Sequence, residues 1–509
     1  MSLDRRHLLA GTAALLACVG AGRPAGVRTT RRTGGFEALA RYLDGPVVLP
    51  GRPDYAEARR LFQPRYDAVA PGAVAYPRHA GDVAICVAFA RRAGVAIVPR
   101  GGGHSYAGYS TGPGLVVDVG AMAGVETGTG EVRVGAGARL GDLNARLADR
   151  GLAVPTGLCP SVGIAGLALG GGLGVCGRAF GTTSDQLTGV RIVTPDAVVR
   201  EVDARADPDL FWALRGGGGG AFGVVTEFRL RTRPAGECAL AELRWPWADA
   251  AALLRGWQRW LAALADPFWS QVEFVAGPGT APGPAAVRVV CLDGRRALEE
   301  ELSRLADEAG APPRESHVEV LGHGDAMRAM AGCREEPQAR CRLPGRLPGQ
   351  DPQGRLGRED YAARSDFWPV AGLPADAVAA VLDGVRRYAS AVPAGGRGVV
   401  QFDGVCGGAV NRVDPAATAF AHRDAGFLAQ YLAYWPPGAP SADVGRHQAW
   451  LDGLWRRLRP WASGRAYQNY TDPKLTTWRE AYYGANLARL TQVKRSYDPG
   501  RLFDFPQAV

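Results

Sequence analysis

The sequence comprises 509 residues, of which 47% are hydrophobic and 21% are charged. A chain of this length can form two or three hydrophobic cores, and this balance is typical of a globular protein rather than a disordered one. The formal net charge is +9, but the arginines that supply it are scattered among acidic residues. Because the sequence has no long basic run, it argues against a nucleic-acid partner.

The first 21 residues have the organisation of an export signal. Arg5 and Arg6 precede an apolar stretch at residues 8–19, which is too short to span a bilayer. The paired arginines resemble a twin-arginine signal, so we expect export by the twin-arginine machinery and an extracellular location. The alternative is a lipoprotein anchored through Cys18, which ends an imperfect lipobox.

The nine cysteines cannot all pair with one another. Cys333 and Cys341 are close in sequence within a polar loop, where a disulfide can form after export. Neither the cysteine spacing nor the seven dispersed histidines fit a metal-binding pattern, so no metal site is predicted.

A glycine-rich loop between two predicted strands is the first functional motif. Residues 81–92 form a predicted helix that ends at Gly94, and residues 95–99 form the strand before the loop. The loop consists of Arg100, Gly101, Gly102, Gly103, His104, Ser105 and Tyr106. Consecutive glycines let the backbone approach a ligand closely and turn its N–H groups toward an anion. The motif therefore predicts a pyrophosphate-binding site.

A second glycine-rich run occupies residues 155–174. Cys159 lies in a Pro-Thr-Gly-Leu-Cys-Pro turn at its start. The positions that follow and that we assign to ligand binding are Val162, Gly163, Gly166, Gly170, Gly171 and Gly174.

These two runs resemble those of the berberine bridge enzyme-like oxidases, within the vanillyl-alcohol-oxidase superfamily, whose FAD-binding domain is of the PCMH type. In that family the histidine of the R-G-G-G-H-S loop is bonded to the flavin 8α carbon, and the cysteine of the P-x-G-x-C-x-x-V-G turn to flavin C6. The resemblance implies bicovalent FAD, attached through His104 and Cys159. Cys176, after the glycine triplet, is interpreted as a packing residue.

A third glycine run, residues 216–223, fits the pattern G-x-G-x-x-G. That fingerprint must open a helix, whereas a predicted strand follows here at residues 224–231. The sequence therefore argues against a Rossmann NAD site. The family resemblance implies instead that this run packs beside FAD and that Val225 approaches the cofactor.

The domain organisation follows from the mixed elements and from the resemblance. Short strands and helices alternate irregularly at the start of the chain, which indicates an α+β fold. The resemblance implies a two-lobed FAD-binding domain at residues 35–235 and a substrate-binding domain at 236–460, with an antiparallel sheet backed by helices. Residues 461–509 resemble the family's C-terminal segment, which returns to the FAD-binding domain.

A cluster of tryptophans marks the start of the predicted substrate-binding domain. Its members are Trp245, Trp247, Trp257, Trp260 and Trp269. Such a stripe is usually part of a hydrophobic core, and the alternative is a platform for sugar rings or a polyketide.

The candidate catalytic residues come from two distant segments. Oxidation of an alcohol requires a base for the hydroxyl proton and an acceptor for hydride, here flavin N5. Gln401 and Asp403 face the same side of a predicted strand because side chains alternate along it. Tyr467 and Tyr470 match the two tyrosines of the family's Y-x-N-Y-x-D signature. In the family's carbohydrate oxidases an acid at the Asp403 position pairs with the second tyrosine, which implies Tyr470 as base, Asp403 as its partner and Tyr467 as a second contact.

Other roles are carried over from the same resemblance. It assigns Asn469, Tyr482 and Asn486 to the FAD site. Val162 takes the position of the family's oxygen gate, where valine is associated with oxidases and a longer side chain with dehydrogenases. We therefore expect molecular oxygen to be the acceptor and hydrogen peroxide to be the product.

The resemblance implies a secreted FAD-dependent oxidase. Its substrate would be a small-molecule alcohol, either a sugar or a glycosylated or polyketide-like product of secondary metabolism. One alternative is an oxidative cyclase, but residues 407–412 lack the acid that the plant benzylisoquinoline enzyme carries after its Gly-Gly turn. The other alternative is a non-catalytic flavoprotein, against which the combination of Tyr470 and Asp403 argues.

Overall fold

The computed structural model describes residues 33–392 and 395–509. The predicted signal at residues 1–21, including Cys18, lies outside the described residues. Across the two described ranges, no helix combines the length and the apolar character needed to cross a membrane.

The N-terminal part of the chain contains short strands and helices in mixed order. Its strands are β1 (Val47–Val48), β2 (Ala73–Ala75), β3 (Ile97–Arg100), β4 (Leu115–Asp118), β5 (Val125–Thr127), β6 (Glu131–Gly135), β7 (Leu152–Ala153), β8 (Leu187–Val193), β9 (Val199–Val202), β10 (Val224–Arg231) and β11 (Arg233–Pro234). Its helices are α1 (Thr33–Ala40), α2 (Tyr55–Ala58), α3 (Ala80–Ala93), α4 (Leu140–Ala148), α5 (Ile164–Leu169), α6 (Gly177–Phe180) and α7 (Pro208–Ala213).

Two sheets organise this part. The first has the order β1-β2-β4-β3, with β2 and β3 parallel to β4. The second is antiparallel, with the order β5-β6-β10-β8-β9, and β7 pairs separately with β11. Helix α3 buries the apolar stripe that the sequence predicts, which includes Val83 and Val87, and Gly94 ends it in the left-handed conformation (φ 59°). Both sheets share one hydrophobic core.

The middle part is built on one large sheet. Its strands are β12 (Glu237–Trp245), β13 (Phe268–Ala276), β14 (Ala285–Cys291), β15 (Glu315–Gly322), β18 (Asp360–Pro369), β19 (Arg397–Asp403) and β20 (Ala425–Trp435), and a small separate pair is formed by β16 (Leu343–Pro344) and β17 (Gln350–Asp351). Its helices are α8 (Ala250–Ala263), α9 (Arg295–Ala309), α10 (His323–Met330), α11 (Ala375–Ala391), α12 (Gly408–Arg412) and α13 (Ser441–Leu458).

The large sheet is antiparallel and has the strand order β15-β12-β14-β13-β19-β20-β18. Helices α8, α9, α11 and α13 cover one face, where residues such as Val272, Val400 and Phe402 are buried. The alternate residues of the same strands point to the opposite face. The predicted α+β class, with an antiparallel sheet backed by helices, is therefore confirmed.

Most of the tryptophan cluster belongs to the core on the helix-covered face. Trp245, Trp257 and Trp260 are buried there, and Trp247 packs against them from the edge. Trp269 is the exception, because it lies on the opposite face of the sheet among a second set of buried side chains.

The C-terminal segment packs on the N-terminal part of the chain through α14 (Trp478–Tyr483) and α15 (Leu487–Tyr497). Buried Lys494 anchors it, because its Nζ donates to Asp498 at 2.6 Å and to the carbonyl oxygens of Ala221 and Phe503. The segment therefore shares the hydrophobic core of the N-terminal part of the chain.

The cysteines divide into one disulfide and free thiols. Cys333 and Cys341 form a disulfide with a Cα–Cα distance of 5.9 Å. Among the described residues the buried free cysteines are Cys86, Cys176, Cys238, Cys291 and Cys406, whereas Cys159 is exposed.

Candidate active site

A cavity of about 690 Å³ lies between the glycine-rich loops and the face of the large sheet opposite α8, α9, α11 and α13. The loop at His104, the turn at Cys159, the run at Gly218–Gly220, and side chains of β13, β19 and β20 form its walls. A volume of this order is typical of a pocket for a cofactor or other small molecule.

The first two glycine runs pack backbone against backbone. A Cβ atom placed on Gly102 would lie 2.2 Å from the nitrogen of Gly163, and one placed on Gly163 would lie 2.4 Å from the nitrogen of Gly102. Arg139 supports this contact because its Nη1 donates a 2.7 Å hydrogen bond to the carbonyl of Gly101. Only glycine permits this approach, which holds the two loops together on the cavity wall.

Arg100 has a supporting role at the base of the first loop. Its Nε donates a 2.6 Å hydrogen bond to Asp118, and its Nη2 donates to the carbonyl of Ala58 at 2.6 Å. The guanidinium is buried in these contacts, so Arg100 positions the loop, and it lines the cavity together with the residues after it.

His104 faces the cavity as a neutral imidazole. Its Nε2 lies 3.0 Å from the Ser161 hydroxyl, and its ring stacks on Phe62 with the centroids 4.1 Å apart. Burial, with a smaller contribution from the charge of Arg139, lowers the pKa of His104 to about 3. A neutral imidazole keeps a lone pair on one ring nitrogen, which is the form that can act as a nucleophile.

Cys159 lies on the wall of the same cavity and is exposed there. Surrounding protein still desolvates its thiol, and this effect, together with the charge of Glu359, raises the pKa of Cys159. Cys176 differs from it, because it is buried beside Cys238 and its pKa is raised to about 12. The structure thus agrees with the interpretation of Cys176 as a packing residue.

The other residues assigned to cofactor binding fall into two sets. Those on the cavity wall are Gly101, Gly102, Gly103, Ser105, Tyr106, Val162, Gly163, Gly166, Gly174, Val225, Asn469 and Tyr482. Those outside the wall are Gly170, Gly171 and Asn486. A Cβ atom on Gly170 would collide with Asn469, and one on Gly171 would collide with Phe420. Asn486 donates instead to the carbonyls of Pro415 (2.7 Å) and Thr418 (3.1 Å).

The two signature tyrosines lie side by side in the cavity with their rings 5.0 Å apart. The Tyr467 hydroxyl accepts hydrogen bonds from the backbone N–H groups of Gly172 and Leu173 and from the Asn469 amide. These donors stabilise a phenolate, but burial outweighs them and raises the pKa of Tyr467 to about 12.

Tyr470 stacks in parallel on Tyr106, with the ring centroids 5.3 Å apart. In the described part of the chain its hydroxyl has no hydrogen-bond partner. Burial, followed by the electrostatic effects of Tyr106 and Asp403, raises the pKa of Tyr470 well above its usual range. Tyr470 is therefore a protonated phenol at neutral pH.

Asp403 is the titratable group of the cavity that is tuned to neutral pH. Its Oδ1 accepts a 2.7 Å hydrogen bond from the Trp269 indole, and its Oδ2 accepts a 3.5 Å hydrogen bond from the Gln401 amide. Burial raises the pKa of Asp403 to about 7, although both hydrogen bonds act in the opposite direction. A carboxyl group with this pKa can exchange a proton at neutral pH.

Polar side chains continue across the sheet beside Asp403. Gln271 is the cross-strand neighbour of Asp403, and in the next row Gln401 has Glu273 and Gln430 as its two cross-strand neighbours. All five side chains line the cavity. This face of the sheet therefore offers several hydrogen-bonding groups to a hydroxylated ligand.

Comparison with known proteins agrees with this geometry. Residues 71–203 match the family model for an FAD binding domain, and residues 466–509 match the model for berberine and berberine-like proteins. An FAD-linked oxidoreductase of Bacillus subtilis, YgaK, is 31% identical over 92% of this chain and 97% of its own length. The chain belongs to the berberine bridge enzyme-like family of FAD-linked oxidoreductases.

Two oligosaccharide oxidases are among the similar members of this family. The xylooligosaccharide oxidase of Thermothelomyces thermophilus is 30% identical over 86% of this chain and 87% of its own length. The glucooligosaccharide oxidase of Acremonium strictum, whose structure is described with 6-S-cysteinyl, 8α-N1-histidyl FAD, superimposes with a TM-score of 0.81 at 26% identity and covers 93% of this chain and 99% of its own.

The cavity of this berberine bridge enzyme-like protein fits FAD. Glycines of both loops line its wall, and a Cβ atom on Gly166 would meet no atom within 4 Å, so this part of the wall is open backbone that a pyrophosphate can approach closely. His104 and Cys159 bring the two nucleophile types of bicovalent FAD to one cavity. The run at Gly218–Gly220 supplies a further stretch of wall without side chains.

Several cavity residues were missed by sequence reasoning. They are Gln271, Glu273, Gln430 and Tyr361, whereas Trp269 was named only as a member of the tryptophan cluster and not as a partner of Asp403. The sequence of β13 contained a signal for two of them, because the polar residues Gln271 and Glu273 alternate there with buried apolar residues. That pattern indicates a strand with one apolar and one polar face.

A cluster of Asp44, His79 and Asp82 has its ligand-type atoms within 4.8 Å of one another, outside the cavity. Nε2 of His79 lies 2.8 Å from Asp44, and the Asp82 carboxylate accepts the N–H groups of Asp44 and Gly45. The cluster therefore has a structural role, because its contacts cap the N-terminus of α3.

Proposed function

We propose that the protein oxidises a CH–OH group of a sugar or sugar-like substrate and uses molecular oxygen as the final acceptor, with hydrogen peroxide as product. The observation that carries this proposal is the polar row formed by Glu273, Gln401 and Gln430 beside Asp403. A row of amide and carboxylate groups suits a ligand with several hydroxyls, because each buried hydroxyl requires a partner. The relatives that act on xylo- and glucooligosaccharides support the same substrate class.

FAD held in this cavity would supply the hydride acceptor, and molecular oxygen would be the final electron acceptor. We propose that this chain holds FAD through both His104 and Cys159. The neutral imidazole of His104 and the exposed thiol of Cys159 on one cavity wall support the proposal.

The proton of the substrate hydroxyl passes through Tyr470 to Asp403. Tyr470 alone is a poor base at neutral pH, because its own proton is tightly held. Asp403, with a pKa of about 7, can take up the proton that Tyr470 gives away as it accepts one from the substrate. No hydrogen bond joins Tyr470 to Asp403 in the described residues, so a water molecule or a second hydroxyl of the substrate must relay the proton between them.

Gln401 and Trp269 orient the carboxylate of Asp403 for this step. The hydrogen bond from the Trp269 indole fixes one oxygen, and the Gln401 amide approaches the other. Tyr467, held by three donors, fixes the position of the segment that carries Tyr470.

We also propose that the protein is exported by the twin-arginine route. The paired residues Arg5 and Arg6 support this, and so does the disulfide between Cys333 and Cys341, which is typical of an oxidising compartment. Replacement of Arg5 and Arg6 by Lys should leave the protein in the producing cell, whereas unimpaired export of that variant would contradict the proposal.

The experiment that tests the function combines a substrate screen with one substitution. Peroxide release is measured against mono- and oligosaccharides and their glycosides, and anaerobic flavin reduction is then followed by stopped-flow absorbance. Tyr470→Phe should slow flavin reduction roughly 100-fold or more while flavin stays bound, the usual range for a positioned proton acceptor. Tyr388→Phe is the matched control, because Tyr388 is buried on the helix-covered side of the sheet. An unchanged rate of flavin reduction in Tyr470→Phe would show that a residue other than Tyr470 accepts the substrate proton.

A further inference from the structure

Residues 323–358 form a strap that runs from the large sheet onto the N-terminal part of the chain. The strap begins with α10, whose last residue, Met330, lines the cavity. The disulfide between Cys333 and Cys341 closes a loop shortly after this helix. Both cysteines are buried, so the disulfide is an internal part of the strap.

The residues next to the disulfide hold α4 through one carboxylate oxygen. Oδ1 of Asp142 accepts hydrogen bonds from Nε and Nη2 of Arg342, at 3.1 and 2.9 Å, and from Nε2 of Gln338 at 3.1 Å. Gln338 and Cys341 begin and end one short 3-10 helix, and Arg342 follows it directly. Because the disulfide fixes the end of this helix, it restricts the positions that both donors can take.

The first turn of α4 connects the strap to the turn that contains Cys159. The backbone N–H of Gly141 donates a 3.0 Å hydrogen bond to the carbonyl of Pro160. A Cβ atom on Gly141 would lie 2.8 Å from the Cβ of Pro160 and 3.3 Å from Nε2 of Gln338. Gly141 is therefore packed between the strap on one side and the residue that follows Cys159 on the other.

A continuous chain of contacts thus links the disulfide to Cys159. We propose that this disulfide and Asp142 position Cys159 for its bond to flavin C6. The inference rests on the proposed attachment of FAD through Cys159. That attachment replaces the S–H bond of Cys159 and the C–H bond at flavin C6 by one S–C bond, and the two protons and two electrons removed pass to molecular oxygen as hydrogen peroxide. Such a step requires the sulfur close to the ring carbon, and a misplacement of about 1 Å can slow a reaction about 100-fold.

The loop that carries His104 has a separate anchor. Arg100, at the base of that loop, is bonded to Asp118 and to the carbonyl of Ala58, and neither residue belongs to the strap or to α4. Loss of the disulfide should therefore weaken the link through Cys159 more than the link through His104. This difference distinguishes positioning of one turn from a general loss of stability, which would affect both links.

The test measures each covalent link by itself. In His104→Ala only the link through Cys159 remains, and in Cys159→Ala only the link through His104 remains. The fraction of purified, denatured protein whose intact mass includes FAD reports each link. Removal of the disulfide by Cys333→Ser and Cys341→Ser should lower this fraction at least about threefold in the first background and leave it within about 1.5-fold in the second. Alkylation without reductant counts the free thiols and verifies the disulfide in each sample that retains both cysteines.

Asp142→Ala tests the same contact with the disulfide intact, and it decides the outcome should the double cysteine variant fail to fold. It should lower the Cys159 link to a similar extent. Removal of the disulfide from Asp142→Ala should then add less than about a twofold loss, because both changes act through one contact. Arg334→Gln is the matched control. Arg334 follows Cys333 in the strap but pairs with Glu319 on β15, so its replacement should change neither link.

The outcomes separate this inference from the proposed attachment. Equal retention of flavin with and without the disulfide in His104→Ala would overturn the positioning and leave the attachment intact. An equal loss of both links would give the disulfide a general structural role and would also overturn the positioning. A His104→Ala protein that has its disulfide but no covalent flavin would overturn the attachment through Cys159, and the positioning with it.

Discussion

The indole N–H of Trp269 donates a 2.7 Å hydrogen bond to Oδ1 of Asp403, across two neighbouring strands and 134 positions of sequence. This bond stabilises the carboxylate, whereas burial favours the neutral acid, and burial prevails. The resulting pKa of about 7 places the ionisation of Asp403 where it can control a reaction near neutral pH.

The first prediction concerns the pH dependence of substrate oxidation. The rate of anaerobic flavin reduction should rise with pH through about 7, because only the carboxylate form of Asp403 accepts a proton. Asp403→Asn should lower the rate and remove this inflection, as measured by stopped-flow absorbance between about pH 5 and 9. Asp366 serves as the control, because its pKa is also raised to about 7 but it lies outside the cavity and pairs with Arg459. An inflection that persists in Asp403→Asn and disappears in Asp366→Asn would contradict the assignment.

Trp269→Phe should move the same inflection upward. The substitution removes a hydrogen bond that lowers the pKa of Asp403, and a bond to a charged group of about 1.5 kcal/mol corresponds to roughly one pH unit. Trp257→Phe is the matched control, since the Trp257 indole donates to Ser270 on the helix-covered side of the sheet. A downward shift in Trp269→Phe, or none, would show that the indole does not tune Asp403.

Asp403 should also make protein stability depend on pH. Its folded pKa of about 7 lies above the ordinary value of 3.8, so the folded state binds the proton more tightly than the unfolded state. The contribution of Asp403 to stability is therefore full below about pH 4 and is lost as the pH rises through about 7. Asp403→Asn should stabilise the protein at pH 8 relative to wild type, on the order of a few kcal/mol, and much less at pH 4. Denaturant unfolding at both pH values measures this, and an equal effect at the two values would refute it.

The glycine loops and the cavity-lining residues of β19 could be predicted because their signals are local. Consecutive glycines beside His104 indicate close backbone approach, and the period of two on β19 correctly places Gln401 and Asp403 on one face. The α+β class also follows from local patterns. The cross-strand neighbours of Asp403 could not be predicted in this way. Gln271 lies beside Asp403 because β13 pairs with β19, and no local pattern encodes that pairing.

Tertiary packing also explains why not every glycine lines the cavity. Gly170 and Gly171 belong to the same run as Gly163, but they are required where the chain presses against Asn469 and Phe420. The sequence shows where a glycine is present, but it does not show which neighbouring residue leaves no room for a Cβ atom there.

The attachment of FAD can be tested residue by residue. His104→Ala and Cys159→Ala should each leave one covalent link, so flavin stays with acid-precipitated protein and the intact mass includes FAD. The double variant should release all flavin on denaturation. Cys176→Ala is the control and should retain both links, because Cys176 is buried away from the cavity. Flavin retained after denaturation of the double variant would exclude both residues as attachment points.

The last prediction is that Val162 controls the reaction with oxygen. Val162 follows the Cys159 turn, lines the cavity and is only partly buried, and its backbone carbonyl accepts the N–H of Leu140, which fixes its position. A leucine at this position adds one methylene to the wall, and even one methylene is felt in close-packed surroundings. Val162→Leu should therefore slow reoxidation of the reduced flavin by oxygen at least tenfold. Anaerobic reduction of the flavin by substrate is the internal control, and its rate in the same variant should stay within about threefold of the wild-type rate. Both rates are read by stopped-flow absorbance. Equal reoxidation rates in wild type and variant would remove Val162 from oxygen control, and a wild-type enzyme inert to oxygen would overturn oxygen as the acceptor.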